Sequence, residues 1–170
     1  MGLSELALSC LLLQLVACAT PTRSDQMVVV HHSVTAKDAV SLAVTVYGDD
    51  VGGFASHYYP LPRADFEKAL LESLSNSGRF ETVPRGGESD FKLSVGLIQL
   101  IQPQWSGTVT LETTWAISSA GTDTEITRRS VRVEKPASFS KKREATEFVA
   151  QASIVEGIDW LVGIVDTDSP

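Results

Sequence analysis

The sequence contains very little cysteine: of 170 residues, only Cys10 and Cys18 are cysteines. The 152 residues after Cys18 therefore hold neither a disulfide framework nor a thiolate metal site. Histidine is almost as rare, with three residues in the chain. These absences exclude disulfide-stapled scaffolds and zinc-ribbon domains. The chain is nevertheless long enough to bury one hydrophobic core.

Positive charge is also scarce, with 14 Lys and Arg against 21 Asp and Glu and a formal net charge of −7. Because nucleic-acid binding relies on neutralising backbone phosphates, this balance argues against a DNA- or RNA-binding protein. Hydrophobic residues at 43% and charged residues at 21% are typical of a globular domain.

Catalytic and metal-binding patterns are missing from the sequence as well. His31 and His32 are adjacent, and neighbouring side chains on a strand point to opposite faces, so the pair cannot chelate one ion. His57 lies 25 residues further on. No G-x-S-x-G elbow supports a nucleophilic serine, and residues 48–53 lack the alternating acids of a calcium loop. We therefore expect no metal, no cofactor and no enzymatic activity.

The apolar run near the N-terminus is too short to cross a membrane. Residues 6–17 are twelve mostly apolar positions, whereas a spanning helix needs about 20. An apolar run of this length is typical of the hydrophobic core of a signal peptide. The run ends in Leu15-Val16-Ala17-Cys18, which resembles the lipobox of bacterial lipoproteins, with a branched aliphatic residue three before the cysteine and a small residue just before it. The resemblance implies that Cys18 is acylated and becomes the first mature residue.

Two other interpretations of this segment stay open. Residues 1–5 contain no Lys or Arg, although signal peptides usually begin with positive charge. If this segment is not a signal peptide, residues 1–18 would form a buried N-terminal helix that contains both cysteines. Alternatively, Cys10 would be the anchor, with almost no apolar run before it.

The lipoprotein interpretation divides the chain into a signal peptide (1–17), the acylated Cys18 with its tether (18–26) and a single α+β domain (27–170). Ala19 follows the cysteine, whereas inner-membrane retention usually requires Asp there. The implied location is the periplasmic face of the outer membrane. At no more than ~3.5 Å per residue, the eight residues 19–26 hold the domain within about 28 Å of the bilayer.

Apolar alternation and short apolar runs predict six strands. They lie at 28–30, 40–47, 79–83, 91–100, 109–117 and 126–134. In the fourth strand the alternation slips at Ile98, which predicts a β-bulge near Gly96.

Two helices are predicted around these strands. Pro62 suits the first turn of one helix and Gly78 its end. Apolar residues at helical spacing predict the other helix over roughly 144–165. The expected fold is α+β, with a mainly antiparallel sheet of four to five strands and two helices packed on one face.

Two clusters are candidates for partner binding. Phe54, Tyr58 and Tyr59 lie in a predicted loop, where aromatic residues often anchor an interface; a loop folded back over the sheet is the alternative. Lys141, Lys142 and Arg143 would oppose the dipole of a helix that starts there. Either that helix begins later, near Thr146, or the cluster serves an anionic partner such as phospholipid.

The chain from Ala64 onward resembles a known family in four stretches. These are "ADFEKALLESLSNSGRFETV", "ESDFKLSVGLIQL", "GTVTLETTWAIS" and a closing helix that ends in "IDWL". They are similar to the ABC-type transport auxiliary lipoproteins and, more distantly, to the lipopolysaccharide-assembly lipoprotein. The N-terminal part departs from that pattern, so a different lipoprotein family without an assigned function stays open.

The resemblance implies a non-enzymatic subunit anchored in the membrane through Cys18 and docked on an envelope transport or assembly complex. The alternative is direct binding of lipid or another amphiphile between the helices and the sheet. No functional residue is carried over, because the matching positions are structural.

Overall fold

The computed structural model of the chain describes residues 22–30, 40–52, 59–84, 87–122 and 124–168. Its main elements are β1 (Val40–Tyr47), α1 (Arg63–Asn76), β2 (Phe80–Val83), β3 (Phe91–Ile101), β4 (Gly107–Ser119), β5 (Glu125–Ala137) and α2 (Lys142–Asp168). Two 3-10 turns, Ser24–Gln26 and Phe139–Lys141, precede β1 and α2 respectively.

The five strands form one mixed sheet in the order β2-β1-β3-β4-β5. β1 runs parallel to both of its neighbours, whereas β3, β4 and β5 are antiparallel. The α+β class and the five strands agree with the sequence prediction. The antiparallel arrangement holds for β3, β4 and β5 but not for β1 and β2, so the sheet is mixed. Apolar alternation is the same in both strand directions, and the crossover through α1 is what allows β1 and β2 to be parallel.

The first helix begins and ends next to the residues predicted from the sequence to start and stop it. Pro62 immediately precedes α1, where its fixed φ costs no hydrogen bond. Phe66, Leu70 and Leu74 are fully buried, as their spacing predicts. Gly78 has a φ of +66°, a left-handed conformation that ends the helix at little cost only for glycine.

Trp115 is the largest fully buried side chain and lies where α2 meets β4. Its indole N–H donates to the Thr113 hydroxyl at 2.9 Å, and that hydroxyl is 2.8 Å from the hydroxyl of Ser153 in α2. A Cβ on Gly157 would stand 2.3 Å from the Trp115 ring. The glycine therefore lets α2 approach the sheet closely enough to cover the indole.

The predicted bulge exists, but it lies two residues beyond Gly96. The register between β3 and β4 shifts between Leu97 and Gln99, and Ile98 is exposed between two buried leucines. Gly96 serves another purpose. The Tyr47 ring lies against it, so closely that a Cβ would be 2.7 Å from the ring.

The apolar residues 28–30 are not a strand, contrary to the prediction. Val28 and Val29 are bound between the helices, whereas Val30 is 74% exposed. The Val29 amide donates to the Ser73 hydroxyl of α1 at 2.9 Å, and Gln151 of α2 donates to the Val28 carbonyl at 3.3 Å. Met27 is fully buried and Val29 nearly so. Side-chain acceptors and donors here replace the backbone partners that a strand would have.

Helix α2 begins two residues before its predicted start and contacts both β4 and β5. By length and composition alone, the stretch Phe139–Asp166 could cross a membrane, since an 18-residue window within it has a mean hydropathy of 1.5. The core helix of a globular domain passes the same test. Here Val149, Ile154, Ile158 and Leu161 are buried in the common core.

Candidate functional site

The site is built at one end of the domain, where β1, β3 and β5 end and both helices begin. We call it the entry end and define it by residues 22–27, 59–63, 102–107 and 137–147. Of the residues predicted to have a function, Tyr59, Lys141, Lys142 and Arg143 lie here. Cys18, Phe54 and Tyr58 lie outside the described residues, as do all three histidines.

Gln102 holds the entry end together. Its side-chain oxygen accepts the Tyr59 amide at 2.9 Å, while its nitrogen donates to the Tyr59 carbonyl at 2.7 Å and to the Thr146 hydroxyl at 2.8 Å. The Gln102 side chain is buried, so these bonds replace water that it has lost. Three chain segments distant in sequence are thereby fixed to one another.

The N-terminal segment joins the same network. The Thr22 amide and hydroxyl both donate to the Pro60 carbonyl, at 3.3 and 3.1 Å. The Arg23 amide donates to the Glu147 carboxylate at 3.3 Å. Because Thr22 is also buried, Thr22 and Arg23 are already part of the folded domain.

The three consecutive cations have three different environments. Lys142 is fully buried, and its ammonium donates to the Gln104 carbonyl at 2.5 Å; burial lowers the pKa of this lysine. Arg143 pairs with Glu147 one turn along the helix, at 3.0 Å. Lys141 is exposed.

The hypothesis that the helix begins near Thr146 is wrong, since α2 starts at Lys142. The helix can begin this early because, of the three positive charges, only that of Lys141 is exposed. The carbonyl of Gln104 and the carboxylate of Glu147 accept the hydrogen bonds of the other two, which offsets the unfavourable dipole.

Two aromatic rings stand out at the entry end, and neither was a candidate from the sequence. Trp105, in the turn between β3 and β4, is 70% exposed, and Phe139, just before α2, is 51% exposed. Their ring centroids are 6.0 Å apart. Lys142 connects them, because its Nζ lies 4.9 Å from the Phe139 ring centroid and bonds the residue before Trp105.

A shallow cleft of about 450 Å³ also lies at the entry end. Arg23, Gln26, Tyr59, Ser140, Arg143, Glu144 and Glu147 line it. Its charges are mixed, and two of its walls are the Arg143–Glu147 pair and the entering N-terminal segment.

Solved structures share this fold. A crystal structure of a Xanthomonas campestris protein of the DUF330 family has a TM-score of 0.58 at 14% identity, and the match covers 83% of this chain and 97% of that one. A hypothetical protein from Chlamydia trachomatis has a TM-score of 0.60 at 9% identity, covering 77% and 100%. These two similarities show the fold alone.

A minor lipoprotein from Acinetobacter baumannii has a TM-score of 0.45 at 12% identity, covering 68% of this chain and 87% of that one. Similarity at that level carries no argument about this chain. No protein-family model matches the sequence, and no curated protein does.

A second cleft, of about 740 Å³, lies at the opposite end of the sheet. Its most structured part is Asp90, whose carboxylate accepts the Ser41 hydroxyl at 2.6 Å and the Ser41 amide at 2.8 Å. These two hydrogen bonds lower the pKa of Asp90. They fix the start of β3 beside β1, which is a structural role. Among the described residues no group of three or more potential metal ligands occurs.

Proposed function

We propose that this chain is a bacterial envelope lipoprotein, anchored through acylated Cys18 at the periplasmic face of the outer membrane. In this proposal it acts as a non-catalytic adaptor in a transport or assembly complex. The sequence from Leu15 to Cys18 supports the anchor, and the fold shared with the Xanthomonas campestris protein is compatible with the resemblance to auxiliary lipoproteins.

The observation that carries the proposal is the early docking of the chain at Thr22. Only three residues, 19–21, separate Cys18 from Thr22, which is hydrogen-bonded to Pro60. A long flexible linker would let the domain take many orientations relative to the membrane. Three residues instead hold the entry end of the domain beside the anchor. An adaptor benefits from such a fixed orientation, because its partner-binding surface is then presented in one direction.

We infer that the partner binds the sheet on the face opposite the helices. α1 and α2 contact each other as well as the sheet. In β5 the residues that alternate with buried Val131 and Val133 are exposed Ser130 and Arg132. Arg132 pairs with Glu112 of β4 on the same face. These residues make the face polar, and polar surface forms the rim of reversible protein interfaces.

The anchor is tested with Cys18→Ala beside Cys10→Ala, both expressed in a Gram-negative host. We expect wild type and Cys10→Ala to lose residues 1–17, gain acyl mass and fractionate with membranes. Cys18→Ala should accumulate as an unprocessed precursor, because the acylated residue is gone. Intact mass spectrometry and membrane fractionation measure both effects. Identical processing of all three proteins would refute the anchor.

The adaptor role is tested by a photo-crosslinking residue at Ser130, with one at Glu156 as control. Both positions are exposed, but Glu156 lies on α2. We expect a discrete adduct with an envelope protein from position 130 in living cells and none from position 156. The same complex should co-purify with the wild-type chain in detergent. Equal labelling at both positions, or none at either, would contradict the proposed binding face.

The alternative function requires an apolar cavity between the helices and the sheet. In the part of the chain that the structure describes, Trp115, Phe66 and Leu111 fill this space with fully buried side chains. The two clefts described above lie at the ends of the sheet. The adaptor is therefore the function that we put forward.

A further inference from the structure

We propose that the entry end binds the bilayer surface directly, with the Trp105 and Phe139 rings inserted among phospholipid headgroups and Lys141 on the anionic phosphates. This inference rests on the proposed lipoprotein anchor and adds a second, non-covalent contact with the same membrane. It assigns a binding role to residues outside both candidate clusters predicted from the sequence, apart from Lys141.

The first argument is the exposure of apolar aromatic surface in one place. Trp105 and Phe139 are 70% and 51% exposed, although they come from different segments and their centroids are only 6.0 Å apart. Phe148, just beyond the entry end on α2, is 43% exposed as well. Clustered exposed rings indicate a binding surface, and tryptophan in particular is enriched at the membrane–water interface.

The second argument is that the ring pair is held in place before any ligand binds. The Lys142 ammonium bonds the Gln104 carbonyl at 2.5 Å and lies 4.9 Å from the Phe139 ring centroid. Gln102 fixes the other side of the Trp105 turn to Tyr59 and Thr146. Insertion then costs little conformational entropy.

The third argument is charge. Lys141 is exposed between Phe139 and α2, and the Lys135 ammonium lies 4.2 Å from the Phe148 ring centroid. Lysines beside apolar rings place the rings in the headgroup region and their ammonium groups on phosphates. The acids Asp25 and Glu147 at this end are paired with arginines, and Glu144 is exposed on the next turn.

The fourth argument is distance from the anchor, and it selects the membrane over other occupants. Four residue steps separate Cys18 from Thr22, so they reach at most about 14 Å. Thr22 bonds Pro60, and the neighbouring Tyr59 bonds Gln102, three residues before Trp105. An acylated Cys18 therefore brings this end of the domain to the headgroups.

The test uses the mature acylated protein, which begins at Cys18, reconstituted in vesicles of phosphatidylethanolamine and phosphatidylglycerol, with and without brominated acyl chains. Bromine quenches tryptophan fluorescence only at contact with the bilayer. The chain has three tryptophans, so wild type is compared with Trp105→Ser and, as a matched control, Trp160→Phe. We expect quenching in wild type and Trp160→Phe, and its loss in Trp105→Ser.

Lys141→Gln, beside Lys92→Gln as control, tests the charge. Lys92 lies near the start of β3, at the other end of the sheet. We expect Lys141→Gln to lower the ratio of membrane-inserted to free protein about fivefold in vesicles that contain phosphatidylglycerol, and we expect Lys92→Gln to leave it unchanged. Replacing phosphatidylglycerol by phosphatidylcholine should have a similar effect on wild type.

The acyl mass of Cys18 in the same preparation separates the two proposals. If that mass is absent, the lipoprotein proposal fails. If it is present and the wild type is not quenched, the membrane-contact proposal is overturned. Crosslinking of Trp105 to a protein partner or a second copy in unquenched vesicles would overturn it in the same way.

Discussion

Gly157 lies against the Trp115 ring at the contact between α2 and the sheet, and its position has no room for a methyl group. A Cβ there would be 2.3 Å from the Trp115 ring, whereas a Cβ on Gly163, six residues later, would meet no atom from outside the helix backbone within 4 Å. Two glycines of one helix thus have opposite roles. The first permits close packing, and the second occupies a position where a methyl group has space and would favour the helix.

At the residue scale we therefore predict opposite effects of the same substitution. Gly157→Ala should lower the free energy of unfolding by about 1–3 kcal/mol, because the indole or the helix must move. Gly163→Ala should raise it by about 0.5–1 kcal/mol through helix propensity. Urea denaturation followed by circular dichroism measures both. A stable Gly157→Ala would mean that α2 can shift without loss of packing.

At the scale of elements, the entry end depends on one side chain that joins three of them. Gln102 follows β3, Thr146 lies in α2, and Tyr59 belongs to the segment that leads into α1. None of these elements neighbours another along the chain. Their relative positions are set by hydrogen bonds over more than 40 residues, which local sequence does not encode.

We predict that Gln102→Ala lowers the free energy of unfolding by about 1–3 kcal/mol, since it removes the partner of the amide and carbonyl of half-buried Tyr59. The Thr146 hydroxyl keeps its bond to the Lys142 carbonyl. Amide hydrogen exchange should accelerate at Tyr59 and Thr22 before it does in the sheet. Gln99→Ala, at an exposed position of β3, is the control and should change stability by less than about 0.5 kcal/mol. Unchanged exchange at Tyr59 would show that the loop is held by other contacts.

At the scale of the whole molecule, much of the fold could be predicted from the sequence and most of the site could not. The bounds of β1 and the apolar face of α1 follow from periodicity, because burial of one face imposes it. The parallel pairing of β1 was not predictable from alternation, and neither was the burial of Lys142, which depends on a carbonyl 38 residues away. Trp105 had a weak indication in the sequence: an apolar ring within the turn "QPQWSG".

The length of α2 determines how far the domain would extend from the bilayer surface. The helix starts beside the entry end and reaches Asp166, which pairs with Arg79 next to the start of β1. Its 27 residues rise about 40 Å, and the 13 residues of β4 span about the same length. If the entry end rests on lipid, the sheet stands upright as a panel of that height. A partner embedded in the same bilayer would then meet its lower part, and a diffusing one its upper part.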